Sequence, residues 1–364
     1  MGALGHGQRL IIGLAVVATT VSAVLALGGA NSILVFAVTA ATLALLATLV
    51  GTGTEQVGER LGPGATGVLQ ASLGNLPELF ISIFALRAGL ASVVQAALVG
   101  SILANSLLVL GLAFLLGGLR HGTQHFASAP ARMIAILTVL TVAVLAVPSL
   151  ARVLHTPAAA HADELSAFSA VVLLLVFAFS LRHSLVADTG RDGVPSVGHT
   201  GTGADADAGT QPWPLALAGA VLAGAALAAA LVSDWFVTAL TPAATALHIA
   251  PTFTGLVVVA LAGNAVENVV GVRLALRNRA DYALSVILNS SLQVALALTP
   301  LLVLLSFVLG GAHLTLVLPP LLIVALGATA VMVALIVVDG ESNALEGAVL
   351  IGFYAVIAAS FWWG

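Results

Sequence analysis

The sequence predicts an all-α integral membrane protein of about 11 transmembrane helices, arranged as two inverted-topology five-helix repeats behind an extra N-terminal helix. Three observations predict it. Of 364 residues, 60% are hydrophobic and only 7% charged, against roughly 25% charged in a soluble domain, and mean hydropathy is +1.15. Apolar runs of about 20 residues, the length that crosses a hydrocarbon core, recur along the whole chain. One polar motif occurs twice, about 189 residues apart, on runs that cross in opposite directions.

The apolar runs lie near 10–28, 33–53, 65–87, 91–118, 132–150, 164–181, 213–237, 252–273, 281–308, 314–337 and 343–363. The first lacks a cleavage site and reads as a helix rather than a signal peptide. Residues 183–212, rich in Gly, Thr, Asp and Ala, read as a linker. The expected division is 1–30 for the extra helix, 31–182 for the first repeat, 183–212 for a cytoplasmic linker and 213–364 for the second repeat. All eleven basic residues are arginines, and only Arg87 and Arg152 fall on the side opposite the N-terminus. The positive-inside rule then puts the N-terminus and linker in the cytoplasm and the C-terminus outside. There is no cysteine, which excludes disulfides, thiolate metal sites and iron–sulfur clusters. The net charge of −4 and the lack of a basic block give no footprint for nucleic acid.

The repeated motif is Gly74-Asn75-Leu76-Pro77-Glu78 on the third run and Gly263-Asn264-Ala265-Val266-Glu267 on the eighth. Downstream, Val99-Gly100-Ser101 is echoed by Leu288-Asn289-Ser290, and an Ala-Leu-Arg triplet follows each Glu. Five runs separate the copies, so they cross oppositely, as in the inverted repeats of secondary transporters. A carboxylate near the bilayer midplane costs a few kcal/mol by insertion scales (~2.5–3.5) and persists where it binds, pairs or takes up a proton. Pro77 removes an N–H and frees the carbonyl of Leu73, and Gly74 eases unwinding. Freed carbonyls at membrane depth are tolerated where they line a cavity or an ion. The second copy keeps Gly263 but has no proline, so its break is less strongly encoded.

Further oxygens come from the next run of each repeat: Ser101 and Asn105 in the first, Ser290, Ser291 and Gln293 in the second. An all-oxygen set of carboxylates, amides, hydroxyls and carbonyls suits a hard cation such as Ca²⁺. The absence of His and Cys from the motifs argues against zinc or copper. One Ca²⁺ neutralises two glutamates, and so do two protons; burial favours a protonated carboxyl. Occupancy by cation or by protons, but not both, is the basis of antiport. Glu78 and Glu267 are therefore the candidate cation- and proton-binding residues, with Gly74, Asn75, Gly263 and Asn264 beside them and Ser101, Asn105, Ser290 and Gln293 as a supporting polar shell. Glu55 and Asp234, read as ending the second and seventh runs, are candidate vestibule acids or ordinary helix-end acids. Asp339, Glu341 and Glu346 read as interfacial. Gly89, Gly111 and Gly117 read as packing contacts, His121 and His125 as loop histidines, and the acids Asp188, Asp192, Asp205 and Asp207 as solvated linker.

With these residues in place, the chain resembles the CAX-type calcium/proton exchangers of the calcium/cation antiporter superfamily, whose two signature regions are built around Gly-Asn-Ala-x-Glu. The stretches GNLPELFISIFALRAG with VGSILANSLLVLG, and GNAVENVVGVRLALRNRADYALSVILNSSLQVAL, carry the likeness. TEQVGERLGPGATGVLQASLGN and the tail DGESNALEGAVLIGFYAVIAASFW extend it to nearly the whole chain apart from the linker. The resemblance implies Ca²⁺/H⁺ exchange by alternating access in a bacterial inner membrane. Glu78 and Glu267 would exchange cation for protons, Ca²⁺ would be the transported ion, and no cofactor would be needed. The resemblance also implies that the helices carrying the site stay central while the first two spans of the repeats slide past them. Three departures from the pattern stand out: Leu76-Pro77, Asn268 where His is frequent, and Asn289 and Leu292 where Gly and Thr are usual.

The alternatives are an exchanger that uses Na⁺, a passive channel, and an intramembrane enzyme. The last would need a nucleophile–base pair or a ligand cluster, and the sequence has no HExxH and no GxSxG.

Overall fold

A chain in hydrocarbon must satisfy its own N–H and C=O groups, so each long apolar run becomes a helix. The computed structural model describes residues 5–61, 69, 73–187 and 213–362. The helices are α1 (His6–Leu27), α2 (Ser32–Leu61), α3 (Leu76–Arg87), α4 (Ala91–His121), α5 (Ser128–Val153) and α6 (Ala162–Ala187). After residues 188–212 come α7 (Leu215–Ala246), α8 (Pro251–Gly263), α9 (Ala265–Leu276), α10 (Ala280–Ser306), α11 (Pro320–Ile336) and α12 (Ala344–Ser360). The expected linker and the first half of the expected third span lie largely outside the described residues.

Among the described residues, seven helices are long and apolar enough to cross a membrane, and the bent pair α8 and α9 would make an eighth. The count of eleven is therefore not reached by length: α11 and α12 have 17 residues each and α3 has 12. Each expected span still coincides with a helix, the third only in its second half. The tenth begins at Pro320 rather than 314, because Pro319-Pro320 sets the first helical turn, where a missing N–H costs nothing, and the residues just before it are not helical. α2, α6 and α7 run past their expected ends at 53, 181 and 237.

α4 and α10 form the centre, with 83% and 89% of their apolar windows buried, against 11% for α1. The two halves match element by element. The end of α4 packs on α12, and the end of α10 on α6. Each central helix contains a π turn at a corresponding place, Ala104–Val109 in α4 and Val294–Leu298 in α10. The turn between α3 and α4 takes a left-handed residue at Gly89 (φ 78°), and the turn between α9 and α10 takes one at Asn278 (φ 58°). Gly89 is thus a turn residue rather than a packing contact. Gly111 does pack as expected: a Cβ there would lie 2.8 Å from Ile351 Cγ1 and 2.9 Å from the Gly347 carbonyl.

α2 and α7 lie side by side, with Phe36 and Phe236 stacked at 4.8 Å. α1 leans on both; Ser22 and Thr42 hydroxyls meet at 2.9 Å. Trp213, just before α7, is buried and donates from Nε1 to Gln8 Oε1 (3.1 Å) and from its backbone N–H to Gln56 Oε1 (2.8 Å). At one end of the bundle a two-residue antiparallel ladder joins β1 (Gln124–His125) to β2 (Glu341–Ser342). His121 and His125 stay in this region: His121 Nε2 lies 2.9 Å from the Leu276 carbonyl and His125 Nδ1 3.5 Å from Glu341.

Candidate cation-binding site

In both motifs a helix begins just after the asparagine. Asn75 precedes α3 with φ −95° and ψ 23°, and Asn264 precedes α9 with φ −93° and ψ 21°. α8 and α9 meet at a 64° bend. The break thus occurs in the second copy without a proline. Pro77 is not the cause in the first: it sits in the first turn of α3, where its missing N–H has no intrahelical partner to lose. Each glutamate is the third residue of its helix, in the turn where the helix dipole accommodates negative charge.

The break brings the two motifs into contact. A Cβ on Gly263 would lie 2.8 Å from Glu78 Cγ and 3.0 Å from Glu78 Oε1, so only glycine leaves room for this carboxylate. Glu78 is buried and Glu267 half-buried, and the two lie within electrostatic reach of each other. Around them the amides and hydroxyls interlock across the halves. Asn264 Nδ2 donates to Ser101 Oγ (2.9 Å) and to the Ala260 carbonyl (2.9 Å). Asn105 Nδ2 donates to Asn264 Oδ1 (3.0 Å) and Ser290 Oγ (2.9 Å). Asn75 Nδ2 reaches Gln293 Oε1 at 3.4 Å. Of the expected cluster, Asn264, Ser101, Asn105 and Ser290 therefore form one buried network, and Asn75 and Gln293 form a separate buried pair. Asn105 Oδ1 in this network and Glu78 Oε2 beside Gly263 are buried with no hydrogen-bonding partner. A buried acceptor without a donor is costly, and a hard cation is a ligand that two such oxygens suit. Among the described residues no group of three or more His, Cys, Asp or Glu could hold a metal ion.

Other expectations change. Ser291 does not join the network; it faces away from it and accepts from Ser106 Oγ at 3.0 Å. Glu55 and Asp234 do not end helices: each sits within a continuous one, Glu55 half-buried in α2 and Asp234 exposed in α7. The longer helices account for the difference, since both continue beyond their apolar stretches. The residues just before these acids had not been singled out. Thr54 and Ser233 are fully buried with unpartnered hydroxyls. The other threonines of α2 (Thr39, Thr42, Thr48 and Thr52) each donate to the carbonyl four residues back. The sequence signal is a hydroxyl–acid pair in both helices, Thr54-Glu55 and Ser233-Asp234. The crossing of α4 and α8 was also unforeseen: a Cβ on Gly100 would collide with the Leu256 carbonyl, and one on Gly255 would lie 2.6 Å from the Val93 carbonyl.

Comparison with known proteins matches residues 31–186 and 217–363 to the model of the family described as sodium/calcium exchanger protein. The chain is 34% identical over 336 residues to a Ca²⁺/H⁺ antiporter of Synechocystis, covering 90% of each chain. It is 32% identical over 332 residues to the Ca²⁺/H⁺ antiporter ChaA of Bacillus subtilis, covering 91% of this chain and 92% of that one. Among solved structures it is similar to native YfkE, with TM-score 0.80, 29% identity and coverage of 97% and 99%. It shares the fold of an H⁺/Ca²⁺ exchanger CAX, with TM-score 0.70, 13% identity and coverage of 94% and 91%.

Proposed function

The chain belongs to the sodium/calcium exchanger protein family, and on that premise we propose that it is a secondary active antiporter that exchanges Ca²⁺ for H⁺. Membership puts it among multi-pass membrane transporters, not enzymes. The observation that carries the reading is the meeting of the two motifs: the Glu78 carboxylate rests on Gly263, with one oxygen lacking any protein partner. In this reading Glu78 and Glu267 bind one Ca²⁺ or two protons. Carbonyls near Gly74, Asn75, Gly263 and Asn264 complete the shell, while Ser101, Asn105, Ser290 and Gln293 hold it in shape. Because the carboxylates cannot hold cation and protons together, each exchange of one for the other can accompany a change of the side to which they open. Glu55 and Asp234 draw cations toward the site from opposite sides. The division at 1–30, 31–182, 183–212 and 213–364 belongs to the same proposal, with helix α6 extending the first repeat to Ala187.

The N-terminus lies in the cytoplasm and the C-terminus outside in this proposal, in a bacterial plasma membrane. The cysteine-free chain offers a direct check: Thr123→Cys should react with an impermeant maleimide only from the cytoplasmic side, and Ala158→Cys only from outside. The opposite pattern would reverse the orientation.

The function is tested by ⁴⁵Ca²⁺ uptake into proteoliposomes under an imposed pH gradient. Uptake should depend on the gradient and fall to background in Glu78→Gln and Glu267→Gln. Uptake that ignores the gradient but requires Na⁺ would replace H⁺ by Na⁺ as the coupling ion. No uptake by well-reconstituted protein would overturn the calcium reading.

A further inference from the structure

On the side of α4 and α10 that faces away from the carboxylates lies a second polar place. A small enclosed cavity there is bounded by α4, α5, α10 and α11, and its lining includes Ser106, Ser291, Thr138 and Thr329 among aliphatic residues such as Val142 and Leu288. All four hydroxyl residues are buried. Thr138 in α5 and Thr329 in α11 stand in corresponding helices of the two halves, yet they differ. Thr138 donates to the Ile134 carbonyl at 2.9 Å, as a helical threonine ordinarily does. Thr329 Oγ1 is buried with no partner at all. Ser106 spends its proton on Ser291 Oγ (3.0 Å), and Ser291 turns its own to the Ile287 carbonyl (3.3 Å).

We propose that this cavity binds one ordered water molecule, held by Thr329, Ser106 and Thr138. Its size suits about one water. The donor and acceptor balance also closes. Thr329 Oγ1 has a proton to give. Ser106 Oγ and Thr138 Oγ1 have given theirs and keep lone pairs. A water that accepts from Thr329 and donates to Ser106 and Thr138 makes three bonds, typical of buried water (about 3). A dry cavity would leave the Thr329 hydroxyl unsatisfied, which is unfavourable in so apolar a place. The site is separate from the exchange of ions. It ties α11 to the π turn Ala104–Val109 of α4, the same turn that aims Asn105 into the network on the opposite face.

A high-resolution map of the wild-type protein tests this directly. Water density within hydrogen-bonding distance of Thr329 Oγ1 and Ser106 Oγ is expected; an empty cavity, or Thr329 bonded to protein alone, would overturn the proposal. Thermal unfolding of variants gives an independent sign. Thr329→Val should melt below wild type because it strips the water of its donor, and Thr329→Ser should recover most of the loss. A Thr329→Val protein that melts at or above wild type would mean a dry cavity relieved of an unsatisfied hydroxyl, and would also overturn it. If the variants do not fold, the wild-type map alone decides.

Discussion

At Asn75 and Asn264 the backbone turns with nearly the same dihedral angles, and a glutamate follows three residues later in both. The surroundings differ. Asn264 is fully buried and bonded to Ser101, Asn105 and the Ala260 carbonyl, whereas Asn75 has one long contact to Gln293. Glu78 is buried against a glycine of the other motif, while Glu267 is more open. Chemically equivalent halves are thus braced unequally. Alternating access needs such an arrangement: a structure open to one side cannot be symmetric about an axis in the membrane plane.

The comparison breaks most completely at the carboxylates. Equal and total loss of gradient-driven Ca²⁺ uptake in Glu78→Gln and Glu267→Gln would show that the structural asymmetry does not extend to chemistry. Full uptake by either variant would mean that one glutamate suffices. Gly263→Ala comes next, because its methyl group would displace the Glu78 side chain from a distance of 2.8 Å. It should cut uptake severely while the protein still folds and reconstitutes, which thermal unfolding and uptake measured on the same preparation would establish.

The asparagines sharpen the contrast in stability. Asn264→Ala strands buried hydrogen-bonding groups on Asn105 and Ser101, at about 1–3 kcal/mol for each group left unsatisfied. Asn75→Ala removes one weak contact and should cost about 0.5–1.5 kcal/mol. Thermal unfolding in one detergent compares them, and equal losses would refute the unequal bracing. At the matching turns, Gly89→Ala puts a side chain into a left-handed conformation at about 1–2 kcal/mol. Asn278→Ala costs less in backbone strain, since Asn278 already carries a Cβ there, but removes the Oδ1 that accepts from Gln124 at 3.0 Å. The smallest effect is expected from Pro77→Ala, below about 1 kcal/mol, because the break stands at Asn75 without it. A large loss there would restore proline as the cause.

Much of this was legible in the residue order. Apolar runs and the doubled Gly-Asn-x-x-Glu marked where helices form and singled out the two glutamates, because burial in lipid imposes composition and length on each helix separately. Helix ends were less legible. α2 and α7 carry their helical hydrogen bonds beyond the apolar stretch, so polarity marked the edge of the hydrocarbon rather than the end of the helix, and Glu55 and Asp234 fell inside helices.

The sequence by itself determined the helical membrane class, the paired motif and the oxygen-only chemistry around it, since these depend on residue type and on spacing within one segment. Tertiary structure alone decided which side of α4 and α10 each polar residue serves. Ser290 joins the network at the carboxylates while its neighbour Ser291 turns to the rear cavity, because adjacent residues on a helix point about 100° apart. It also decided that Gly263, on the other repeat, makes room for Glu78. Contacts between segments so far apart depend on how the helices pack, and no local pattern specifies that packing.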